Sequence, residues 1–144
     1  MATPYSLIID SYLDKIDDYK MIALTDDIVI EDAIGYMKRV CADFGYICLK
    51  DLSDRDDIIR QFGQDLSDNE IDIIAKGMVV EWMRPIVYQS SAMMNVMNMK
   101  DASFFSPSKI MEQKMIAFEK AEKAYRSAKR NYSYDNGEIG DLHL

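Results

Sequence analysis

Apolar residues between Thr25 and Gly45 recur every three or four positions with almost no slippage. This spacing places them on one side of a helix and predicts an amphipathic helix that ends before Gly45. Thr25 is suited to cap the start of this helix, and Asp26 and Asp27 complement the positive end of its dipole. The apolar stripe consists of Ile30, Ala33, Ile34, Met37, Val40, Cys41 and Phe44.

The same spacing predicts helices near both ends of the chain. Thr3-Pro4 is a typical helix start, and the apolar residues that follow predict a helix near 4–17. Ser106-Pro107 is a similar start, and it predicts a last helix near 107–131. Residues 132–144 lack this periodicity, and we expect them to form an extended C-terminal arm.

The middle of the chain contains the letters DLSD twice, at 51–54 and at 65–68. Both serines are placed as helix caps, and Ser67 with Glu70 forms a capping box. The sequence therefore predicts a short helix near 54–63 and a longer helix that begins at 68. Pro85 falls where the helical rhythm is still running, so we expect a kink or break near 81–85.

These segments together predict one all-α domain. A chain of 144 residues has room for a single core, and its 6 Gly and 3 Pro are too few for a turn-rich β-sandwich. No pair of segments reads as a convincing pair of strands. We expect a compact bundle of five or six helices over residues 1–131, followed by the arm at 132–144.

Charge is unevenly distributed along the chain. The net charge is −8, yet residues 107–130 hold seven Lys/Arg against three Glu. The acidic total argues against nucleic-acid binding as the main function, whereas the asymmetry favours contacts with copies of the chain or with a complementary partner. Four basic residues share one side of the last helix. In one interpretation they face acidic partners or packaged DNA. In the other they form a solvated face that pairs with Glu119 and Glu122. The four basic residues are Lys120, Lys123, Arg126 and Arg130.

An uncharged, methionine-rich stretch runs from Pro85 to Met99. It is either a helix buried inside the bundle or an adaptable surface that packs against another subunit. The candidate interface methionines are Met93, Met94, Met97 and Met99.

The residues needed for catalysis or metal binding are sparse. The single histidine, His143, is in the expected arm, and Cys41 and Cys48 form no CxxC pair, so packed, reduced thiols are expected. No Gly-rich phosphate loop or complete calcium loop is present, and Trp82 is expected in the core. We therefore expect no enzymatic activity, no metal and no cofactor. The first residues do not indicate a signal peptide, and no stretch indicates a membrane span.

Four segments resemble a family of small virion proteins from tailed bacteriophages and prophages, mostly of Gram-positive hosts. The segments are KDLSDRD from Lys50, QDLSDNEIDIIAKGMVVEWMRP from Gln64, KDASFFSPSK from Lys100 and NYSYDNGEI from Asn131. The resemblance spans most of the chain, although none of its letters is a catalytic signature.

The resemblance implies a structural function in the virion neck, as a head–tail connector (adaptor) subunit. Such subunits are helical bundles with an extended arm that assemble as a ring of about twelve copies under the portal. The expected partners are other copies, the portal protein and the next neck or tail protein, with no membrane and at most incidental contact with packaged DNA. The arm residues expected to contact a neighbouring subunit or the portal are Tyr132, Tyr134, Ile139 and Leu142.

One alternative remains open from another class of protein. A small acidic phage protein that binds and inhibits a host or defence protein also fits a net charge of −8. The basic last helix and the long uncharged stretch fit that interpretation less well.

Overall fold

The computed structural model describes residues 2–17, 30–100 and 107–135, with the backbone alone for residues 89–100 and 107–110. Within these ranges the chain forms four helices and a small sheet, so the expectation of a mostly helical fold is confirmed. The helices are α1 (Tyr5–Asp17), α2 (Ile30–Phe44), α3 (Asp68–Lys100) and α4 (Pro107–Asp135). The predicted start at Thr25, and all of residues 18–29, lie outside the described residues.

Helix α3 is the centre of the fold, because α1, α2 and α4 all pack against it. Its buried residues point in several directions, as expected for a helix with neighbours on most sides. Trp82 is among them, as predicted from the sequence. Between residues 68 and 88, the buried residues of α3 are Glu70, Ile73, Ile74, Ala75, Gly77, Met78, Val79, Val80, Trp82, Met83 and Val87.

The outer helices bury the single stripes that their apolar spacing predicts. In α2 the buried residues are Ala33, Met37, Val40, Cys41 and Phe44, while Ile30 at the start of the helix is exposed. In α4 the core residues Phe118, Ala121, Tyr125 and Tyr132 lie on the side that faces α3.

A three-stranded antiparallel sheet joins the N-terminus to the middle of the chain, where no strands are predicted. Its strands are β1 (Thr3–Pro4), β2 (Arg55–Asp56) and β3 (Gln61–Phe62), with β3 in the centre. Phe62 is opposite Thr3 on one side and Arg55 on the other. Since Thr3-Pro4 forms β1, helix α1 begins one residue later, at Tyr5.

The predicted helix near 54–63 is wrong, because residues 55–62 form a β-hairpin. Aspartate side chains accept hydrogen bonds from backbone amides that would otherwise bond within a helix. Asp56 Oδ1 accepts from the amides of Ile58 at 2.8 Å and Ile59 at 3.4 Å, and Asp51 accepts from the amide of Ser53. Such local bonds compete with helix formation, and pairing of β3 with β1 adds backbone bonds that a helix at this position would lack.

Of the kink or break predicted near 81–85, the break is wrong, since α3 continues through Pro85 to Lys100. The kink stays a prediction. A proline inside a helix removes one backbone bond and costs about 3 kcal/mol. Buried side chains on both sides of Pro85, including Met83 and Val87, hold the helix in the core and offset this cost. The residues on either side of Pro85 therefore belong to one helix, and with no helix at 54–63 the described residues form four helices instead of the predicted five or six.

Helix α4 ends at Asp135 rather than near 131. Residues 132–135 therefore belong to the helix and not to the predicted arm. The physical reason is burial, because Tyr132 packs into the core and orders the last turn around it. Residues 136–144 lie outside the described residues.

Candidate functional site

The predicted basic face is an exposed strip of α4. Lys120, Lys123, Arg126 and Arg130 are all exposed, on the side of the helix opposite the core residues Phe118, Ala121, Tyr125 and Tyr132. Among the ion pairs between described residues, none includes any of these four cations. Ion pairs with Glu119 and Glu122 are therefore absent between the described residues, and the strip carries four exposed cations without an ion-pair partner. That this face is only solvated, and that it faces acidic partners or packaged DNA, both stay predictions.

A charged groove of about 340 Å³ lies beside this strip, between α2, α3 and α4. Arg126 lines it together with Arg39, Arg84 and Glu81. Glu81 makes only long contacts, at 3.9 Å to Arg39 and 3.7 Å to Arg84, and the Arg84 guanidinium also lies over the Phe118 ring at 5.6 Å. Glu122 and Asp43 line the groove as well, so its surface carries both signs of charge.

Lys129, at the edge of the basic strip, makes its contacts within the same chain. Its Nζ donates to Asp43 Oδ2 at 2.6 Å and lies 4.3 Å from the centre of the Tyr125 ring. The Tyr125 hydroxyl donates to the same oxygen at 2.7 Å. Partial burial would raise the pKa of Asp43, but the hydrogen bonds from Lys129 and Tyr125 outweigh it and hold this pKa below its usual value. Lys129 therefore fixes α4 on α2.

The most buried charged group of the described residues is Glu70, whose residue is 2% exposed. The capping box is formed as predicted, since the Ser67 amide donates to Glu70 Oε1 at 2.8 Å and the Glu70 amide donates to Ser67 Oγ at 3.1 Å. Lys50 Nζ donates to Oε1 at 3.2 Å, and the Tyr132 hydroxyl donates to Oε2 at 2.7 Å. The carboxylate thus joins the start of α3, the loop after α2 and the end of α4.

The pKa shifts at this junction favour the charged form of Glu70 and the protonated form of Tyr132. Burial would raise the pKa of Glu70, but the bonds from Tyr132, Ser67 and Lys50 outweigh it and lower this pKa. Burial and the bond to Glu70 raise the pKa of Tyr132 well above its usual value. Burial likewise raises the pKa of Cys48 next to them. A charged carboxylate and a protonated phenol are the forms that suit the 2.7 Å hydrogen bond between them.

The remaining cysteine, Cys41, is a buried free thiol. Burial raises its pKa to about 12, which keeps the sulfur protonated and a poor nucleophile. Among the described residues, no cluster of His, Cys, Asp or Glu is arranged to hold a metal ion. The helices in these same ranges include none that is both long and apolar enough to cross a bilayer.

The predicted interface residues have different outcomes. Met93, Met94, Met97 and Met99 lie in α3, but their side chains are outside the described residues, as are Ile139 and Leu142 entirely. Tyr132 is 3% exposed, so its prediction as an arm anchor is corrected: it is part of the core. Tyr134 is half exposed and lines a groove with Tyr46.

Sequence reasoning missed two surfaces. The hairpin tip at Ile58-Ile59 lies within the helix predicted near 54–63, and no prediction covers the turn after α2 that contains Tyr46. The signal that indicates the hairpin is the density of aspartates, which favour turns over helix interiors.

No protein-family model, curated protein or solved structure matches this chain.

Proposed function

We propose that this chain is a structural virion protein, a head–tail connector (adaptor) subunit that forms a ring between the portal and the tail of a tailed phage. In this proposal it is made in the bacterial cytoplasm and acts in the virion neck, without enzymatic activity or a cofactor. Its partners are other copies of itself, about twelve in a ring, the portal protein and the next neck or tail protein.

The exposed basic strip of α4 is the observation that carries this proposal. Its four cations are unneutralised within the described part of the chain, while the sequence outside residues 107–130 is strongly acidic. A subunit with separate positive and negative surfaces attracts copies of itself in a fixed orientation. Repetition of one such heterologous contact closes a ring when the rotation between subunits allows it.

The length of α3 adds further support. A helix of 33 residues is about 50 Å long, and its part beyond Pro85 carries no charge until Lys100. An uncharged, methionine-rich helix is suited to pack against a neighbouring subunit. The predicted interface at Met93, Met94, Met97 and Met99 is part of the proposal, and so is the arm with Ile139 and Leu142.

A helical subunit with separate charged surfaces is suited to several kinds of assembly. The sequence resemblance to small virion proteins of tailed phages is the reason that we propose the ring in the virion neck. The same strip on α4 faces either the portal and neighbouring subunits or the DNA channel. Because the whole chain carries a net charge of −8, we place protein partners first and contact with packaged DNA second.

The direct test is quantitative mass spectrometry of purified particles of the phage that encodes this chain, with the portal protein as internal standard. We expect a copy number close to that of the portal. A charge-reversed variant, Lys123→Glu with Arg126→Glu, should be lost from particles, whereas the matched variant Lys123→Arg with Arg126→Lys should be retained. Both pairs lie on the exposed face, so neither should alter the fold.

Absence of the protein from particles, together with abundance in infected cells, would overturn the connector proposal. That result would favour the alternative, an acidic protein that binds and inhibits a host or defence protein. Pull-down of a single host protein by the purified chain would then identify its target.

A further inference from the structure

Two isoleucines project from the tip of the β2–β3 hairpin. Ile58 is 92% exposed and Ile59 is 60% exposed, although both are large and apolar. Polar and small residues are usual in such turns. Two adjacent exposed isoleucines therefore indicate a surface that contacts another molecule rather than an ordinary solvent-exposed turn.

The tip is held in one conformation before any partner arrives. Asp56 accepts hydrogen bonds from the amides of Ile58 and Ile59, as described above. Arg60 has a φ of 55°, a left-handed conformation that non-glycine residues rarely adopt, and its carbonyl accepts from the Tyr5 amide at 2.9 Å. A fixed apolar projection loses little conformational entropy on binding.

Acidic groups lie at the tip of the hairpin and at its base, where the Gly63 amide donates to the Asp54 carbonyl at 2.8 Å, and only some of them are neutralised. Asp57 pairs with Lys38 at 2.7 Å, and Arg60 pairs with Glu31 at 3.4 Å. Asp54 and Asp56 are exposed, and neither takes part in the ion pairs found between described residues. The nearby Arg55 donates to the Leu52 carbonyl. A matching surface should therefore be apolar, with a basic rim.

This chain carries such a surface at the end of α4. A groove of about 450 Å³ is lined by Tyr46, Ile47 and Tyr134, of which Tyr46 is 91% exposed and Tyr134 is 52% exposed. Arg130 of the basic strip forms its rim. Asp43 also lines the groove, but Lys129 neutralises it at 2.6 Å, which leaves the charge of Arg130 available.

The hairpin and the groove lie at different places along α2. The hairpin contacts the start of this helix through Arg60 and Glu31 and its middle through Asp57 and Lys38, whereas the groove begins with Asp43 and Tyr46 at its end. Glu31 and Asp43 are about 18 Å apart along a helix axis. Two complementary surfaces at separate places on one rigid element suit a head-to-tail contact between copies.

We propose that the Ile58-Ile59 tip of one copy binds the Tyr46–Tyr134 groove of a second copy, with Asp54 and Asp56 facing Arg130. This inference rests on the proposed function, since it names the contact between neighbouring subunits of the ring. The contact is heterologous, so every copy offers one tip and one groove.

Photo-crosslinking tests the contact directly. The purified chain with benzoylphenylalanine in place of Ile59 is irradiated at increasing protein concentration in low salt. We expect covalent dimers and higher species whose linked peptides contain Tyr46 or Tyr134. A chain that stays monomeric by analytical ultracentrifugation, or that links only through other peptides, would overturn the proposal.

Paired variants test the head-to-tail geometry. Ile58→Asp blocks the tip and Arg130→Glu blocks the groove, and each should raise the concentration needed for self-association about tenfold or more. A mixture of the two variants retains one intact tip and one intact groove, so it should form dimers but no longer species. Ile58→Leu and Glu112→Lys are the matched controls, since Glu112 is exposed on α4 outside both the groove and the basic strip, and both should self-associate like the unmodified chain.

Particle composition separates this inference from the connector proposal. Particles that hold the chain at portal-like copy number, and that incorporate Ile58→Asp equally well, would contradict the tip contact while leaving the connector function in place. Tip-to-groove cross-links from a chain that is absent from particles would support the contact between copies and contradict the connector function.

Discussion

The Tyr132 hydroxyl donates a 2.7 Å hydrogen bond to the buried carboxylate of Glu70, across 62 positions of sequence. Glu70 is also the acidic member of the capping box at the start of α3. The same hydroxyl accepts from the Leu49 amide at 2.9 Å. One phenol therefore joins the last turn of α4 to the first turn of α3 and to the loop after α2.

Replacing Tyr132 by Phe should destabilise the fold measurably. The change leaves one oxygen of Glu70 and the Leu49 amide without this partner, and an unsatisfied buried group costs about 1–3 kcal/mol. The free energy of unfolding in urea measures the loss. Tyr134→Phe is the matched control, because Tyr134 is exposed two residues away and its change should stay within about 0.5 kcal/mol. Equal losses for both variants would contradict the junction described here.

The Glu70 carboxylate should make stability depend on acid. Its pKa is lowered in the folded state, so its contribution is present above the unfolded pKa of about 4.3 and is lost as the pH falls through the folded pKa. Glu70→Gln should therefore be less stable than the unmodified chain at neutral pH, with a difference that shrinks below about pH 4. Urea unfolding from pH 7 to pH 3 measures this, with the exposed Glu119→Gln as control. A difference independent of pH would argue against an ionised Glu70.

Gly77 should not tolerate even a methyl group. A Cβ at this position would lie 2.7 Å from Val40 Cγ1 and 2.8 Å from Tyr125 Cε1, so α2 and α4 would both have to move away from α3. Gly77→Ala should cost about 1–3 kcal/mol. Gly35→Ala is the control with the opposite sign, since nothing lies within 4 Å of its Cβ and alanine favours a helix by roughly 0.5–1 kcal/mol. Thermal unfolding of both variants distinguishes the two effects.

The methionine-rich end of α3 should act in assembly rather than in folding. Met94→Asp or Met97→Asp should leave the helical circular dichroism signal unchanged and abolish incorporation into particles. The reason is that a charge placed in an apolar contact between subunits is costly to bury. Loss of the helical signal would instead assign these methionines to the core of the single chain.

Deletion of residues 136–144 should separate the predicted arm from the fold. This truncation ends after α4 and retains Tyr132 with its bond to Glu70, so the helical signal and the unfolding midpoint should be preserved. Particles assembled with the truncated chain should lack it, because the remaining arm, with Ile139 and Leu142, is proposed to contact a neighbouring subunit or the portal. Normal incorporation would remove the arm from the proposal.

The sequence predicts helices well where one side of the helix carries the apolar residues. In α2 the apolar positions Ala33, Met37, Val40, Cys41 and Phe44 are all buried, because this helix packs one side against the rest of the fold, mainly α3. The continuity of α3 through Pro85 is harder to predict, since the local cost of proline is offset by burial of side chains such as Met83 and Val87.

The hairpin and the junction depend on contacts between distant segments. Asp56 and the left-handed Arg60 favour a turn locally, but β3 also requires β1, from the other end of the domain. The four residues from Ser67 to Glu70 are enough to predict the capping box. They do not predict the bond from Tyr132, because residue spacing within one segment carries no information about which other helix packs against that segment. The two surfaces of the proposed contact between copies went unpredicted for the same reason.

The pairing of β1 with β3 sets an order of events during synthesis of the chain. The Thr3 hydroxyl donates to the Gln64 carbonyl, 61 residues later, and accepts from the Leu66 amide. The first strand therefore leaves the ribosome long before any of its partners exists, and it has to remain unpaired until the hairpin and the residues after it have emerged. Such distant pairing slows folding. Strand β1 therefore joins the native structure only after α1, α2 and the hairpin have all been synthesised.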